Sequence, residues 1–368
     1  MSRFIRQEQL DFDDVMIVPK PSTIESRKDA NIIRPYTFKW SGKTIEGNPG
    51  MASNMDSTGT FEMAKVLQQH KMFCALSKHY SAEEIVAFLR QNKETFGNND
   101  YIFVSTGLRK DDFDKLKSIM DTGLCNNICL DAPNGYITGF VQHLNRLRTL
   151  YPKSIIMAGN VVTPEKTDEI IRQGADIVKV GIGSGQACKT RVVAGVGRPQ
   201  LSAIIDCADA ARDQQGMICS DGGVQKPADY VKAIAGYADF VMMGGYLAGC
   251  SEAGGKLVKR LVPCNDGCDS HGDPVFKEKL FKLFYGMSSQ FAQDKHYNGM
   301  NKYRASEGLV TLVPFTGPVE DRLQELEGGL RSAMTYTDSR TIKQFQDNAD
   351  FFQVRRQVAR VSGARDKE

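Results

Sequence analysis

The segment "GIGSGQACKTR", residues 181–191, places Cys188 beside Lys189, Thr190 and Arg191 directly after three glycines. A thiolate is a strong nucleophile, and neighbouring cations favour its formation. The apolar run "ADIVKV" (175–180) comes just before, so the cysteine follows a strand end across a glycine loop. An inert thiol beside a turn is the alternative reading. The loop position and the Thr190 hydroxyl two residues on favour a nucleophile.

Two glycine pairs, in "SDGG" (220–223) and "MMGG" (242–245), end later apolar runs, and "YGMSS" (285–289) adds a glycine and two hydroxyls. Glycine lets a backbone approach a ligand closely. We read Gly223, Gly244, Gly245, Gly286 and Ser288 as a phosphate cradle. Asp221 would repel a phosphate but suits ribose hydroxyls, so the pattern points to a nucleotide. "GIGSG" has the spacing G-x-G-x-G with no helix opening at its third glycine, and "GQACKT" lacks the glycine before lysine, so neither a dinucleotide fingerprint nor a P-loop is present. "CNDGCDSH" (264–271) offers two cysteines and one histidine, short of four zinc ligands, and reads as a surface loop.

The elements that must hold these residues follow one pattern. Short apolar runs at 47–55, 72–80, 101–107, 126–133, 154–162, 175–183, 216–223 and 238–245 alternate with seven amphipathic stretches of helical spacing, from "FEMAKVLQQH" to "PADYVKAIAGY". Near-continuous apolar strands separated by helices indicate a parallel sheet covered on both faces. Eight of them predict an α/β fold, a closed (β/α)8 TIM barrel, with chemistry at the carboxyl ends of the strands. Those ends carry Asn54, Asp56, Lys78, Asp131, Asn134, Asn160, the 183–188 loop, Asp221 and the glycine pairs. Turns alone favour Gly, Asn and Asp. They do not account for so many amide, carboxylate and lysine side chains at one end.

Composition excludes several classes. The chain of 368 residues is 41% hydrophobic and 25% charged, which is globular, and no apolar run is long enough to span a bilayer. No secretory leader is recognisable, and nine cysteines, an odd number lying mostly in apolar runs, suit reduced thiols in the cytoplasm. A net charge of +3 gives no case for nucleic acid. We expect one barrel domain over 1–368, with a surface loop inserted at about 261–279 and a basic, solvated C-terminal tail.

With Cys188, the glycine pairs and the barrel pattern assembled, the sequence resembles the IMP dehydrogenase/GMP reductase family over nearly its whole length. The segments "LDFDDVMIVPKPS", "ASNMDSTGTFEMA" (52–64), "SKHYS", "IMAGNVVT", "GRPQLSAI", "SDGG", "FVMMGG", "LFYGMSS", "YRASEG" (303–308) and "GGLRSAMTY" (328–336) carry the likeness. The resemblance to the reductase branch implies NADPH-dependent reductive deamination of GMP to IMP and ammonia. Cys188 would attack purine C2 and form a thioimidate, and Thr190 with Glu307 would protonate the departing amine. The resemblance assigns Asp221, Gly222, Gly223, Gly244, Gly245, Gly286, Met287, Ser288, Arg304, Ser306 and Gly308 to the substrate nucleotide. It assigns Lys78, Asp131, Asn134 and Asn160 to the cofactor side, and Ser332 and Tyr336 to the cofactor of a neighbouring subunit in a homotetramer. Carbonyls of Gly183, Gly185 and Cys188 match a monovalent-cation loop, in which K⁺ occupancy differs among members.

The chain departs from the reductase pattern at Ser184, where proline is usual, at Lys189, where a small hydroxyl residue is common, at Pro133, where alanine is usual, and in the 261–279 segment. The dehydrogenase alternative, oxidation of IMP to XMP with NAD, uses an Arg-Tyr pair to hydrolyse its thioimidate, and no "RY" dipeptide occurs here. Nor is there room after the second strand for the regulatory domain common in dehydrogenases. A reductase of a modified or deoxy purine nucleotide is a further alternative. A non-catalytic nucleotide sensor would need none of Cys188, Thr190 and Glu307.

Overall fold

Eight short strands pair in parallel and in sequence order: β1 (Gly50–Ala52), β2 (Phe73–Leu76), β3 (Ile102–Thr106), β4 (Asn127–Asp131), β5 (Ile155–Val161), β6 (Ile177–Val180), β7 (Met217–Asp221) and β8 (Phe240–Met243). The last pairs with the first, Val241 opposite Gly50, and the barrel closes. The structure is a computed structural model that describes residues 8–268, 274–297, 299–301 and 305–354. Each strand lies within one of the eight runs read from the sequence.

The seven expected helices follow in place: α1 (Phe61–Gln69), α2 (Ala82–Phe96), α3 (Lys110–Met120), α4 (Thr138–Leu150), α5 (Pro164–Arg172), α6 (Gln200–Asp213) and α7 (Pro227–Ala235). Their starts have local causes. Ser81 Oγ accepts from Glu84 N at 3.1 Å while the Glu84 carboxylate accepts from Ser81 N at 2.7 Å, closing a capping box on α2. Pro164 and Pro227 stand at first-turn positions, where a missing N–H costs nothing.

Alternation along the strands divides the apolar residues into two cores. Residues such as Cys74, Ile102, Val104, Ile128, Ile156, Val178, Ile218 and Val241 pack outward against the helices. Met51, Phe73, Phe103, Cys129, Met157, Ile177, Cys219 and Phe240 fill the barrel interior together with Tyr36, Phe38 and Ile45. The last three come from an antiparallel hairpin, Arg34–Thr37 with Thr44–Gly47, that plugs the amino-terminal end. There Tyr36 stacks on Phe240 at 4.5 Å between centroids and meets Phe73 edge-on at 5.9 Å. Offset stacking and edge contacts are the arrangements aromatic quadrupoles favour. Two residues further along three of these strands the same inward face becomes polar: Cys129 gives way to Asp131, Ile177 to Lys179 and Cys219 to Asp221.

The chain leaves the barrel after β8 and returns late. Strands β9 (Leu257–Cys268) and β10 (Pro274–Tyr285) form a long antiparallel hairpin, and β11 (Val310–Pro314) pairs with β10. The surface loop expected at about 261–279 thus falls, where described, on the arms of this hairpin. The three phenylalanines of "FKEKLFKLF" (276–284), a residue type that favours strands, give the reason. Between β10 and β11 runs α8 (Gln290–Tyr297), and α9 (Val319–Tyr336) then supplies the eighth barrel helix, packed against α7 and α1. Sequence reading missed α9 as a barrel helix because it lies so far from β8 and carries a Gly328–Gly329 pair. Its apolar stripe, Leu323, Leu326, Leu330 and Met334, is nonetheless helical in spacing and buried. No helix among the described residues is long and apolar enough to cross a membrane.

Candidate active site

The loop after β6 is held by the segment that precedes β11. Lys189 N donates to the Glu307 carbonyl at 2.7 Å, and Leu309 N donates to the Ala187 carbonyl at 2.8 Å. Cys188 faces Gly308 in this antiparallel bridge. Gly286 makes the approach possible. A Cβ there would stand 2.6 Å from the Ala187 carbonyl oxygen and 2.9 Å from Gly308 Cα, so no side chain fits.

This stitching builds a hydrogen-bonded chain. Cys188 Sγ donates to Thr190 Oγ1 at 3.2 Å, and Thr190 Oγ1 donates to Glu307 Oε2 at 2.7 Å. Thr190 opens a single helical turn, Thr190–Val193. Of the seven cysteines whose side chains are described, none forms a disulfide and only Cys188 is exposed. The cations expected to help the thiol are placed elsewhere. Arg191 Nη1 bonds to Asp11 at 2.9 Å, and Lys189 is exposed and lines neither cavity described below.

Two cavities meet at this chain. The first, about 220 Å³, is lined by Cys188, Thr190, Gly183, Gly185, Asp221, Gly222, Gly223, Gly244, Gly245, Gly286, Met287, Ser288, Glu307 and Gly308. The second, about 550 Å³, is lined by Lys78, His79, Arg109, Asp112, Asp131, Gln293 and Tyr297, among others. Pro133, Met287, Ser288 and Glu307 belong to both. Lys78 Nζ lies 3.6 Å from Asp112, and burial, which would lower its affinity for a proton, is outweighed by Tyr297, Asp112 and Asp131, which raise it.

Not every expected residue falls where the sequence placed it. Asn160, expected on the cofactor side, lines the first cavity, where its amide donates to Asp221 Oδ2 and to the Gly181 carbonyl, both at 2.8 Å. Asn134 lines neither cavity; its side chain accepts from Tyr136 N at 3.0 Å. Ser306 also lines neither and donates to the Gly308 carbonyl at 3.3 Å. Ser332 and Tyr336 sit on α9 outside both cavities, with Tyr336 63% exposed. Arg304 and residues 269–271 of the cysteine-rich segment lie outside the described residues.

Sequence reading missed two groups. Lys179 stands in the middle of β6 with its side chain 1% exposed, hydrogen-bonded to Asp131 and 3.3 Å from Asp221 Oδ2. A lysine inside "IVKV" was the available signal, since a lysine is almost never fully buried unless paired. The second group surrounds Asp56, which accepts from Tyr285 Oη at 2.6 Å, Lys295 Nζ at 2.9 Å and His296 at 2.6 Å. His79 stacks on His296 at 3.6 Å. Burial first, then the charges of His296 and Lys78, push the His79 imidazole down to about 4.

Comparison with known proteins agrees with this geometry. The family model "IMP dehydrogenase / GMP reductase domain" matches residues 9–364. A GMP reductase of Caenorhabditis elegans is 45% identical over 360 residues, covering 97% of this chain and 95% of its own. A GMP reductase of Escherichia coli O81 (strain ED1a) is 46% identical over 354 residues, 96% of this chain and 97% of its own. With the matched model spanning barrel, cysteine loop and both cavities, the chain belongs to the IMP dehydrogenase/GMP reductase family.

Proposed function

We propose that the protein is an oxidoreductase that converts GMP to IMP with release of ammonia, using NADPH, through a covalent bond between Cys188 Sγ and purine C2. The observation that carries this reading is the Cys188–Thr190–Glu307 chain at the junction of the two cavities. Every donor in it points from thiol to carboxylate. The thiol proton can pass through Thr190 to Glu307, leaving a thiolate and a carboxylic acid. The thiolate adds to C2, and the same relay returns the proton to the exocyclic amine as the C2–N bond breaks and ammonia leaves. When bound, NADPH supplies a hydride to C2, and one further proton from solvent balances the reaction. Cys188 then departs as thiolate, a good leaving group, and IMP is free.

The donor sets fit these ligands. Gly222, Gly223, Gly244, Gly245 and Gly286 leave the first cavity wall as bare backbone for a phosphate, with Asp221 for ribose hydroxyls and Met287 against the base. In the second cavity Lys78 and Arg109 supply cationic donors for a dinucleotide, and Asp131 supplies an acceptor. Gly183, Gly185 and Cys188 carbonyls are hard oxygen donors that suit K⁺, although the Gly185 carbonyl already accepts Cys188 N–H at 2.9 Å. Exposed Tyr336 and its neighbour Ser332 would complete the cofactor site of an adjoining subunit, which requires an oligomer, a homotetramer by the family resemblance; sedimentation of the purified chain tests that. The C. elegans and E. coli relatives named as GMP reductases support the substrate assignment.

The deciding experiment follows NADPH loss with GMP while IMP and ammonia are assayed in the same tube. Equal amounts of all three are expected. Silence with GMP together with turnover of IMP and NAD⁺ would overturn the reading in favour of the dehydrogenase.

A further inference from the structure

We infer that Lys179 is a positioning residue that ties the two cavities together, fixing the charge and place of Asp131 on the cofactor side and of Asp221 on the nucleotide side. The inference rests on the reaction proposed above and assigns within it a residue that touches neither reacting atom.

Lys179 Nζ is hydrogen-bonded to Asp131 and lies 3.3 Å from Asp221 Oδ2 and 3.4 Å from Asn54 Oδ1. Asp131 and Asn54 line the second cavity, and Asp221 lines the first. The ammonium is the only group within salt-bridge distance of both carboxylates among the described residues. Gly159 lets β5 run close beside β6 at this point, since a Cβ there would stand 2.6 Å from Lys179 Cβ and 2.5 Å from the Lys179 carbonyl oxygen. A structural role alone would be met more cheaply by an apolar residue, because β6 is otherwise buried and apolar and a buried ion pair is a weak source of stability. Removing the ammonium takes from both carboxylates the cation they share, and it favours the protonated form of Asp131, which Lys179 otherwise holds ionised. In keeping with this, the protein holds the Asp131 carboxyl below its ordinary range; burial alone would raise it, and Lys179 first, then the Lys78 charge and the Asn54 amide, reverse the sign.

The test uses the full chain with Lys179→Met, Lys179→Gln and Lys179→Arg, beside Asp131→Asn and Asp221→Asn. Melting and circular dichroism establish that each is folded, and the Gln variant serves if Met does not fold. Steady-state kinetics then give separate KM values for GMP and NADPH, and the pH profile of kcat. We expect Lys179→Met or Gln to raise both KM values by about ten- to a hundredfold and to move the acid limb of the profile to higher pH. Lys179→Arg restores most of both. Asp131→Asn raises chiefly the NADPH value, and Asp221→Asn chiefly the GMP value. A lysine variant that melts earlier yet keeps both KM values and the acid limb, or shifts only one KM, overturns the inference. Wild-type silence with GMP and NADPH would instead sink the proposed reaction, and equilibrium binding of each nucleotide to wild type and variants would then decide the role of Lys179.

Discussion

The lower and upper layers of the barrel interior are made by the same strands, two residues apart, and they behave as different materials. Below, Phe73, Phe103, Cys129, Ile177, Cys219 and Phe240 pack against the aromatic plug of Tyr36 and Phe38. Burial pushes the Cys129 thiol up to about 12, so at neutral pH it is a small apolar filler. Above, Asp131, Lys179 and Asp221 exchange one cation between two anions, and Cys188 stands exposed in the adjoining loop. Two cysteines of one molecule thus differ in burial and in what surrounds their thiols. On the reading proposed above, chemistry belongs to the upper layer and apolar packing to the lower, with one strand step of two residues separating them.

That division can be broken by single substitutions. The largest effect is expected from Cys188→Ala, which removes the nucleophile of the proposed reaction: turnover should fall by about 10⁴-fold or more, while calorimetry shows GMP still bound and melting unchanged. Equal turnover would sink the nucleophile assignment. Next comes Glu307→Gln, which keeps shape but removes the proton acceptor at the end of the relay; kcat should drop by roughly 10²- to 10⁴-fold with little change in KM for GMP. In the lower layer the pattern should invert. Phe240→Ala removes a buried ring in contact with Tyr36 and Phe73 and should cost about 3–5 kcal/mol of stability, read from denaturant midpoints, while kcat of the folded fraction stays near wild type. A loss of kcat without loss of stability would show that the layers are not separable.

The smallest effect concerns acid. The folded protein holds His79 near 4, whereas the unfolded chain's imidazole takes a proton near its ordinary 6.5. Between those values the unfolded state binds more protons, so this contribution to stability is intact above about 6.5 and is lost as pH falls towards 4. Denaturation midpoints measured across that window should decline, and His79→Phe should flatten the decline. A variant with the same slope as wild type would remove His79 from the account.

Local patterns made most of the barrel legible. Each strand was a short apolar run closed by glycine or a polar residue, and each of the first seven helices had a periodic stripe, several of them beside a start signal. The closure by α9 was not legible, because nothing in a one-dimensional pattern says that Val319–Tyr336 returns to α7 and α1 after a three-stranded excursion. The cysteine loop and the glycine pairs announced themselves by composition. Lys179 did not, since its meaning depends on Asp131 and Asp221, which meet it only when β4, β6 and β7 line up in the closed barrel. The partnership of Thr190 with Glu307, 117 residues apart in sequence and hydrogen-bonded in space, was legible only through the family resemblance, because no local spacing brings the two together.

The late arrival of α9 has a consequence for how the chain is made. About 75 residues separate Met243, the end of β8, from Val319. At about 5–20 residues per second, a ribosome needs roughly 4–15 s to cross that interval. For those seconds the nascent barrel carries all eight strands and seven helices, with the apolar flanks of α1 and α7 bare. A chaperone that shields one helix-sized stripe would suit that window, and a stalled or truncated message ending before residue 319 would leave the stripe exposed for good.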